Sequence, residues 1–442
     1  MTVSAHYDRL GMTEALALRQ KPQVLAYLDP ASWAVGGQFA FGAAAWAWLR
    51  VRRSFRRFPL WRRRPPRLAA GAREVQPFEA IEILTKPGDK PRLLLVMEGS
   101  RDWPYLAAVV HELCSDSLDI WCVSAGDVPL DALHALGVPF RYVARTEPLI
   151  WIELLAKVHA DVVITTLTDL GSAQFPKSPQ AYYAYVFHSP VSTHVAYPED
   201  AFDEFDTMFC PGEIHARELA CRDKITKRAQ REIVVSGYPY LDNLCDQSFG
   251  VDRGARRIVL APSWSSDDQV NSLWADLADG LRQAGFEVTF RPHPETIKRS
   301  PDALSLFSAR FAGFSNVDVD LGADAGRGFA GYGAMITDWS GAAIEFALSG
   351  LGRVAFVDTP RKIRNVHWDR IASESVEAQA RPKLGPVVSI NDALSLVDYF
   401  VGIRQLNPGL PTRVEADCWM AHHGVAASVI SSNLRRRLTA RS

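Results

Sequence analysis

The sequence predicts an α/β protein with two doubly wound parallel sheets, one after the other along the chain. Its 442 residues are 48% apolar and 22% charged, which is a globular composition with enough length for more than one core. Short apolar runs alternate with helical patterns, as in parallel sheets that are covered on both faces. The alternation begins near residue 92 and begins again near residue 257, which indicates two such domains.

The strands of the first predicted domain begin after Pro91, and there are seven of them. These are Arg92–Met97, Asp119–Val123, Phe140–Val143, Asp161–Thr165, Ala184–Phe187, Thr207–Cys210 and Ile233–Val235. Helical patterns lie between them at Tyr105–Leu113 and Ile150–Val158. The strands are rich in β-branched and aromatic residues, and they are too short for helices of ordinary length.

The second predicted domain repeats this order. Its strands are Arg257–Ala261, Glu287–Arg291, Val317–Leu321, Ala334–Thr337 and Val354–Val357, and its helices are Ser272–Ala284, Gly341–Leu348 and Asn391–Val401. The polar stretch Leu241–Gly254, which contains two glycines, is the predicted hinge. We therefore expect a leader and linker at residues 1–77, a first domain at 78–245, a second domain at 246–410 and a helical tail at 411–442.

The leader is basic, although the whole chain is nearly neutral. The first 73 residues carry thirteen Lys/Arg and three Asp/Glu. The run Trp33–Leu49 is uncharged, and its length is at the short end of what spans a hydrocarbon core. Nine arginines mixed with bulky apolar residues follow between Arg50 and Arg67. This mixture suits an anionic leaflet, so we expect a peripheral or weakly anchored protein at the cytoplasmic face of the cell membrane.

The composition of the leader also fits partners other than a membrane. An arginine-rich arm also occurs in nucleic-acid-binding proteins, but the acidic body argues against that, and no nucleic-acid partner is predicted. A solvated leader, or one docked on protein, is the remaining alternative. The six cysteines show no CxxC pair and no Cys/His spacing typical of zinc. We predict neither a metal site nor a cofactor.

Candidate functional residues stand where predicted strands end, because ligands of open parallel sheets bind beyond the carboxyl ends of the strands. His188 directly follows one strand, and an imidazole at that place suits a general base near neutral pH. Arg291 and His293 end another strand in an Arg-Pro-His-Pro turn that its prolines stiffen. An arginine and a histidine held in fixed positions are well suited to bind a phosphate. The alternatives are a loop histidine that caps or hydrogen-bonds locally at His188, and a rigid structural turn at Arg291-Pro-His293-Pro.

A third element lies where the strand Ala334–Thr337 passes into a helix. Thr337, Asp338, Ser340 and Gly341 surround this junction, where free backbone N–H groups favour an anion. Alternatively, Asp338 or Ser340 caps the helix. No GxxxxGK[ST] motif is present, which disfavours a P-loop nucleotidase. The three elements together indicate a nucleotide-bearing donor in a cleft between the domains.

Five short motifs carry a resemblance to a known family. They are His188-Ser-Pro, Gly237-Tyr-Pro-Tyr-Leu-Asp242, Leu260-Ala-Pro-Ser263-Trp, Arg291-Pro-His293-Pro and Thr337-Asp-Trp-Ser340-Gly-Ala-Ala-Ile-Glu345. In order and spacing they resemble the CDP-glycerol glycerophosphotransferases, the teichoic-acid primases and polymerases, over roughly residues 180–360. The resemblance implies a GT-B fold with an acceptor domain first and a nucleotide-donor domain second.

The resemblance also implies roles for individual residues. His188 and His293 are the implied catalytic pair, with His188 in acceptor activation and His293 at the donor phosphates. The implied donor- and phosphate-binding residues are Arg291, Thr337, Asp338, Ser340, Gly341, Ser263, Gly237 and Glu345. Three departures from the family pattern are Ser189-Pro190 for Gly-Thr, Trp339 for Tyr, and Gly341 for a second serine, which removes one hydroxyl donor.

The expected function is the transfer of an alditol phosphate, such as glycerol phosphate, from a CDP-linked donor to a hydroxyl of a lipid-linked or glycan acceptor. CMP is the expected product. One alternative is a GT-B glycosyltransferase that uses a CMP- or UDP-sugar for surface polysaccharide. The other is a non-catalytic, membrane-anchored binding subunit. Release of nucleotide from a nucleotide sugar would identify the glycosyltransferase. Absence of nucleotide binding would identify the binding subunit.

Overall fold

A computed structural model of the chain describes residues 71–115, 117–228, 231–248, 256–265, 267–321, 328–329, 331–403 and 419–439. The chain divides after Pro66 into two units, and every element given below belongs to the second. The predicted apolar run Trp33–Leu49 and the arginines after it lie outside the described residues. Within the described ranges, no helix is both long enough and apolar enough to cross a bilayer.

The first sheet has eight strands, each parallel to its neighbours. They are β1 (Ala72–Glu74), β2 (Arg92–Met97), β3 (Asp119–Ser124), β4 (Phe140–Val143), β5 (Ala160–Thr165), β6 (Ala181–Val186), β7 (Thr207–Cys210) and β8 (Glu232–Val235). Their order is β1-β4-β3-β2-β5-β6-β7-β8. Every residue of β2 and β3 is buried, because helices cover both faces, and this explains why the sequence shows continuous apolar runs there.

The second sheet has six strands, and all its neighbours are also parallel. They are β9 (Arg257–Leu260), β10 (Glu287–Phe290), β11 (Val317–Val319), β12 (Ala334–Thr337), β13 (Arg353–Asp358) and β14 (Val387–Ser389). Their order is β11-β10-β9-β12-β13-β14. The prediction of two consecutive, doubly wound α/β domains is confirmed.

Thirteen α-helices lie within the described residues. They are α1 (Pro77–Leu84), α2 (Trp103–Leu113), α3 (Leu130–His134), α4 (Pro148–Lys157), α5 (Glu213–Thr226), α6 (Pro239–Ser248), α7 (Asp268–Gln283), α8 (Pro294–Arg299), α9 (Pro301–Arg310), α10 (Ala342–Leu348), α11 (Val376–Leu384), α12 (Ser395–Gly402) and α13 (Ala426–Thr439). The last helix returns to the first domain, where its apolar stripe of Ile430, Leu434 and Leu438 packs into the core beside β2.

The predicted hinge Leu241–Gly254 is wrong over its first eight residues. Residues 241–248 belong to α6, and residues 249–254 lie outside the described ranges. Leu241 and Leu244 of α6 are buried, whereas the polar residues between them give the stretch its loop-like composition. The first sheet also begins at Ala72, six residues before the domain boundary expected at residue 78.

Each sheet reverses its strand order once. In the first sheet the reversal lies between β2 and β5, and in the second it lies between β9 and β12. Loops at such a place diverge to opposite faces of the sheet and leave a crevice at the carboxyl edge. The residues that follow β5, β9 and β12 are therefore at the positions where a doubly wound sheet binds its ligand.

Candidate functional site

The predicted site residues of the two domains meet at the carboxyl ends of the two sheets. The segment that follows β6 contains His188, and the segment that follows β12 contains Ser340 and Gly341. A Cβ atom added to Gly341 would collide with Ser189 Oγ and lie 2.9 Å from Val191 Cγ1. The two motifs, about 150 residues apart in sequence, are therefore in direct contact across the junction between the domains.

The hydrogen bonds of His188 determine which ring nitrogen can accept a proton. Its Nδ1 lies 2.9 Å from the carbonyl oxygen of Thr166, the residue that follows β5, and 3.1 Å from the Tyr185 hydroxyl. A carbonyl oxygen only accepts, so Nδ1 carries the proton and Nε2 carries the lone pair. Burial lowers the pKa of His188 from its ordinary value of 6.5. The neutral ring is thus a base at neutral pH.

His293 has the opposite arrangement. Its Nδ1 accepts a hydrogen bond of 3.1 Å from the backbone N–H of Glu295 at the start of α8, so the ring proton is on Nε2. Loss of surrounding water, together with the positive charge of Lys362, lowers the pKa of His293 to about 4. Near pH 7 this ring is therefore a neutral hydrogen-bond donor through Nε2, whereas His188 is an acceptor through Nε2.

Asp338 joins three loops of the second domain and is itself buried. Ser263, which follows β9, donates to the Asp338 carboxylate through its backbone N–H at 2.8 Å and its hydroxyl at 2.7 Å. The Thr359 hydroxyl, after β13, donates at 3.1 Å. The hydroxyl of Thr337 is fully buried and donates to the Ala261 carbonyl at 2.7 Å. Thr337, Asp338 and Ser263 therefore belong to a hydrogen-bonded framework that shapes the site, and their contact with a phosphate stays a prediction.

Arg291 is also engaged within the protein. Its Nε and Nη2 lie 3.0 Å and 2.7 Å from Asp320 Oδ2, and its Nη1 donates to the Gly328 carbonyl at 2.8 Å. The guanidinium stacks over the Phe329 ring, 4.5 Å from its centroid. The charge predicted for a phosphate is thus paired with a carboxylate, because Asp320 follows the neighbouring strand β11 at the same edge of the sheet.

Glu345 and Gly237 each make a contact within the protein. Glu345 is buried in α10 and accepts a 2.7 Å hydrogen bond from the Tyr238 hydroxyl of the first domain. Burial raises the pKa of Glu345 to about 8, so its carboxyl is mostly neutral near pH 7. Gly237 has φ of +84°, and a Cβ atom there would collide with the Ala421 carbonyl oxygen. Both residues hold parts of the chain together, and donor binding by them stays a prediction.

Ser340 lies one residue before Gly341, the N-cap of α10. Its half-buried hydroxyl accepts from the backbone N–H of Ala342, the first residue of that helix, at 3.3 Å. Acceptance of this bond leaves the hydroxyl proton of Ser340 available to a further acceptor. Of the predicted donor-side residues, Ser340 and His293 each keep one proton, on the hydroxyl and on Nε2, without an acceptor among the described residues, and Gly341 lies at the junction.

Sequence reasoning missed a basic segment that follows β13. Arg361, Lys362 and Arg364 lie there, and the backbone N–H of Arg364 donates to the Val195 carbonyl of the first domain at 2.9 Å. Burial lowers the pKa of Lys362 to about 8. Nε and Nη2 of Arg361 are buried and have no hydrogen-bond partner among the described residues. The strand-end rule would have found this segment, because it begins four residues after the predicted strand that ends at Val357.

The charges of this segment surround the second histidine. Lys362 and Arg364 both act electrostatically on His293, and Arg364 also acts on Tyr197, whose hydroxyl lies 3.4 Å from Nε2 of His188. The site thus presents a neutral base, a neutral donor and nearby cations. Within the described ranges, no cluster of three or more His, Cys, Asp or Glu side chains could hold a metal ion.

Comparison with known proteins identifies the fold. No family model and no curated protein matches the chain. Among solved structures, it is similar to the wall teichoic acid polymerase TagF soaked with CDPG, with a TM-score of 0.51, 12% identity and coverage of 79% of this chain and 89% of that one. It is also similar to UDP-GlcNAc 2-epimerase from Neisseria meningitidis bound to UDP-GlcNAc (0.52, 13%, 78% and 100%).

A third similar structure is MnaA from S. aureus with UDP, with a TM-score of 0.50, 11% identity and coverage of 79% of this chain and 97% of that one. All three are two-domain enzymes of the GT-B type. Their identities are too low to transfer an activity, and they establish the fold alone. The chain is an α/β protein with two Rossmann-type domains in a GT-B-like arrangement.

Proposed function

We propose that this protein is a transferase that moves an alditol phosphate of the glycerol-phosphate type from a CDP-linked donor to a hydroxyl of a lipid-linked or glycan acceptor in cell-surface polymer synthesis. One observation carries the proposal. His188 of the first domain is a neutral base, while the second domain presents a hydrogen-bond donor, His293, beside the cations Lys362 and Arg364. Such a pairing suits the transfer of a phosphate-bearing group to a hydroxyl.

The reaction follows from the two ring nitrogens. The acceptor hydroxyl replaces Tyr197 as the partner of His188 Nε2, and its oxygen attacks the β-phosphorus of the donor while its proton passes to Nε2. A new P–O bond forms to the acceptor, the P–O bond that joins the β-phosphorus to CMP breaks, and CMP leaves with the electron pair. General base catalysis by a positioned histidine contributes about 10²- to 10⁴-fold to such a step.

The second domain stabilises the charge of the donor. Two phosphates bring negative charge into the junction, and the leaving CMP gains more as the bond breaks. His293 Nε2–H, the unpartnered N–H groups of Arg361 and the Lys362 ammonium can donate to these oxygens. Donors that are held in place before the reaction stabilise developing charge without reorganisation. Arg361 also stacks 5.0 Å from the Trp368 ring centroid, which limits its motion.

The comparisons support a nucleotide-linked substrate and leave its identity to experiment. TagF was soaked with CDPG, and the two epimerase-type structures hold UDP-GlcNAc or UDP. The motifs from His188 to Glu345 favour the CDP-linked donor. We also propose that the leader brings the enzyme to the anionic cytoplasmic face of the membrane, where a lipid-linked acceptor is presented.

Nucleotide release tests the reaction. Purified full-length protein is offered CDP-glycerol, CDP-ribitol, CMP-sugars and UDP-sugars together with a membrane-lipid acceptor. CMP release from a CDP-alditol is the expected result. Release from a nucleotide sugar alone would identify a glycosyltransferase, and no release together with no nucleotide binding would identify a binding subunit.

Histidine variants test the assignment of roles. We expect His188→Ala to lower turnover by about 10²- to 10⁴-fold and to leave nucleotide affinity nearly unchanged. We expect His293→Ala to lower turnover and also to weaken nucleotide affinity. His111→Ala, at an exposed position of α2, is the matched control and should match the wild type. Full turnover by His188→Ala would exclude it as the base.

Vesicle flotation tests the membrane proposal. The full-length protein is mixed with vesicles of anionic phosphatidylglycerol or of neutral phosphatidylcholine. We expect it to float with the anionic vesicles, and we expect replacement of the nine arginines between Arg50 and Arg67 by glutamine to reduce this binding, since each basic residue contributes about 1 kcal/mol. Equal binding of the two proteins would contradict a role for these arginines.

A further inference from the structure

The hydroxyl of Ser189 lies at the junction between the domains and has no assigned role. Ser189 follows His188 directly, is half-buried and lies against Gly341 of the second domain. Among the described residues its hydroxyl has no hydrogen-bond partner, unlike the hydroxyls of Ser192 and Thr193 in the same segment, which donate to Glu218. A free hydroxyl next to the proposed base is therefore available to a ligand.

The contact with Gly341 explains why position 341 is a glycine. Its φ of −61° and ψ of −26° are ordinary right-handed helical values that any residue can adopt. The backbone therefore does not require a glycine. A Cβ atom at 341 would instead collide with Ser189 Oγ and lie 2.9 Å from Val191 Cγ1 and 3.2 Å from Pro190 Cδ. Ser189 Oγ thus occupies the space that a side chain at position 341 would fill, beside Ser340.

The segment that holds Ser189 is anchored from both domains. The backbone N–H of Ser192 donates to Glu377 of the second domain at 3.2 Å, and that of Thr193 donates to Glu218 of the first domain at 2.6 Å. Pro190 fixes its own φ and restricts Ser189 to an extended backbone. The backbone of Ser189 is therefore restricted, and its hydroxyl lies against Gly341 of the second domain.

We propose that the Ser189 hydroxyl donates a hydrogen bond to the β-phosphate of the donor, as a ligand that the first domain contributes to a site built mainly by the second. This inference rests on the proposed function. A single contact then explains two departures from the family pattern, Ser189-Pro190 and Gly341. Both are needed because Ser189-Pro190 and a side chain at position 341 cannot occupy the same space. The hydroxyl that Gly341 lacks is supplied from the opposite domain.

Isothermal titration calorimetry with CDP-glycerol and with CMP tests the proposal on the full-length protein. Loss of a hydrogen bond to a charged group corresponds to roughly 10- to 150-fold in affinity. Ser189→Ala should weaken CDP-glycerol binding by this factor and leave CMP binding unchanged, since CMP has no β-phosphate. Ser305→Ala, an exposed serine of α9, should change neither. Unchanged CDP-glycerol affinity in Ser189→Ala would overturn the inference alone, whereas a wild-type protein that binds neither nucleotide would refute the proposed function itself.

A swap of the hydroxyl to the other domain provides a second test. Ser189→Gly/Val191→Ala empties the space around position 341, and addition of Gly341→Ser returns a hydroxyl to it. We expect the triple variant to bind CDP-glycerol at least tenfold more tightly than the double variant, with thermal melts confirming that both are folded. Equal affinities would show that a hydroxyl at this place does not contact the donor and would overturn the proposal.

Discussion

Replacement of Glu345 by glutamine is the substitution whose effect the structure predicts in most detail. The Glu345 carboxyl is buried in α10 and accepts the Tyr238 hydroxyl at 2.7 Å. Burial raises its pKa from 4.5 to about 8. At neutral pH the folded protein therefore holds a proton on Glu345 that the unfolded chain releases.

The sign of the pH dependence follows from this difference in bound protons. Below pH 4.5 Glu345 is protonated in both states, so its contribution to stability is fully present. As the pH rises towards 8 the unfolded state binds fewer protons than the folded state, and the free energy of unfolding falls by up to about 1.4 kcal/mol per pH unit. Between pH 4.5 and pH 7 the loss amounts to about 3 kcal/mol.

Glutamine matches the shape of the side chain, keeps an oxygen that accepts from Tyr238 and does not ionise. Glu345→Gln should therefore be more stable than the wild type by about 3 kcal/mol at pH 7, and the difference should shrink towards zero near pH 4.5. Urea unfolding at intervals from pH 4.5 to 8, followed by circular dichroism, measures this difference. Glu82→Gln, at an exposed position of α1, is the control and should run parallel to the wild type.

A constant difference between Glu345→Gln and the wild type at all pH values would refute this reasoning, because it would mean that Glu345 does not titrate differently on folding. The same variant also tests the predicted donor-binding role of the residue. Since the carboxyl contacts Tyr238, we expect CDP-glycerol affinity to be unchanged. A large loss of affinity would instead support the donor-binding role that the family resemblance implies.

Three further predictions concern His188, Lys362 and Gly237. The kcat/KM should fall only below pH 6.5, because burial lowers the His188 pKa; a fall that begins above pH 7 would contradict this. Donor affinity measured by calorimetry should decrease as the pH rises through about 8, and Lys362→Gln, about tenfold weaker at pH 7, should lack this decrease. Gly237→Ala should lower the free energy of unfolding by more than about 1 kcal/mol in thermal melts. Gly137 has φ of +70° but open space around it, so Gly137→Ala should lower the free energy of unfolding by less.

Much of the fold could be predicted from local sequence patterns. Phe140–Val143, Thr207–Cys210 and Ala334–Thr337 are strands with the predicted bounds, because their burial between helices makes them mostly apolar. The edge strands β1 and β14 were missed. Each has three residues and is largely exposed, so neither shows an apolar run. Residues 241–248 were predicted as part of a hinge because most of them are polar. They form the end of helix α6, since a helix needs only one apolar face to be buried.

In the candidate site, too, some features follow from the local sequence and others from tertiary contacts. The sequence by itself determined that His188 and His293 end strands, since the passage from strand to loop is a local property. Only the tertiary structure decided which polar groups remain available to a ligand. Arg291 is paired with Asp320 and Glu345 with Tyr238, and these partners lie 29 and 107 residues away. The pattern around a residue does not contain such a partner, nor the burial that sets its pKa, because both arise when distant segments pack together.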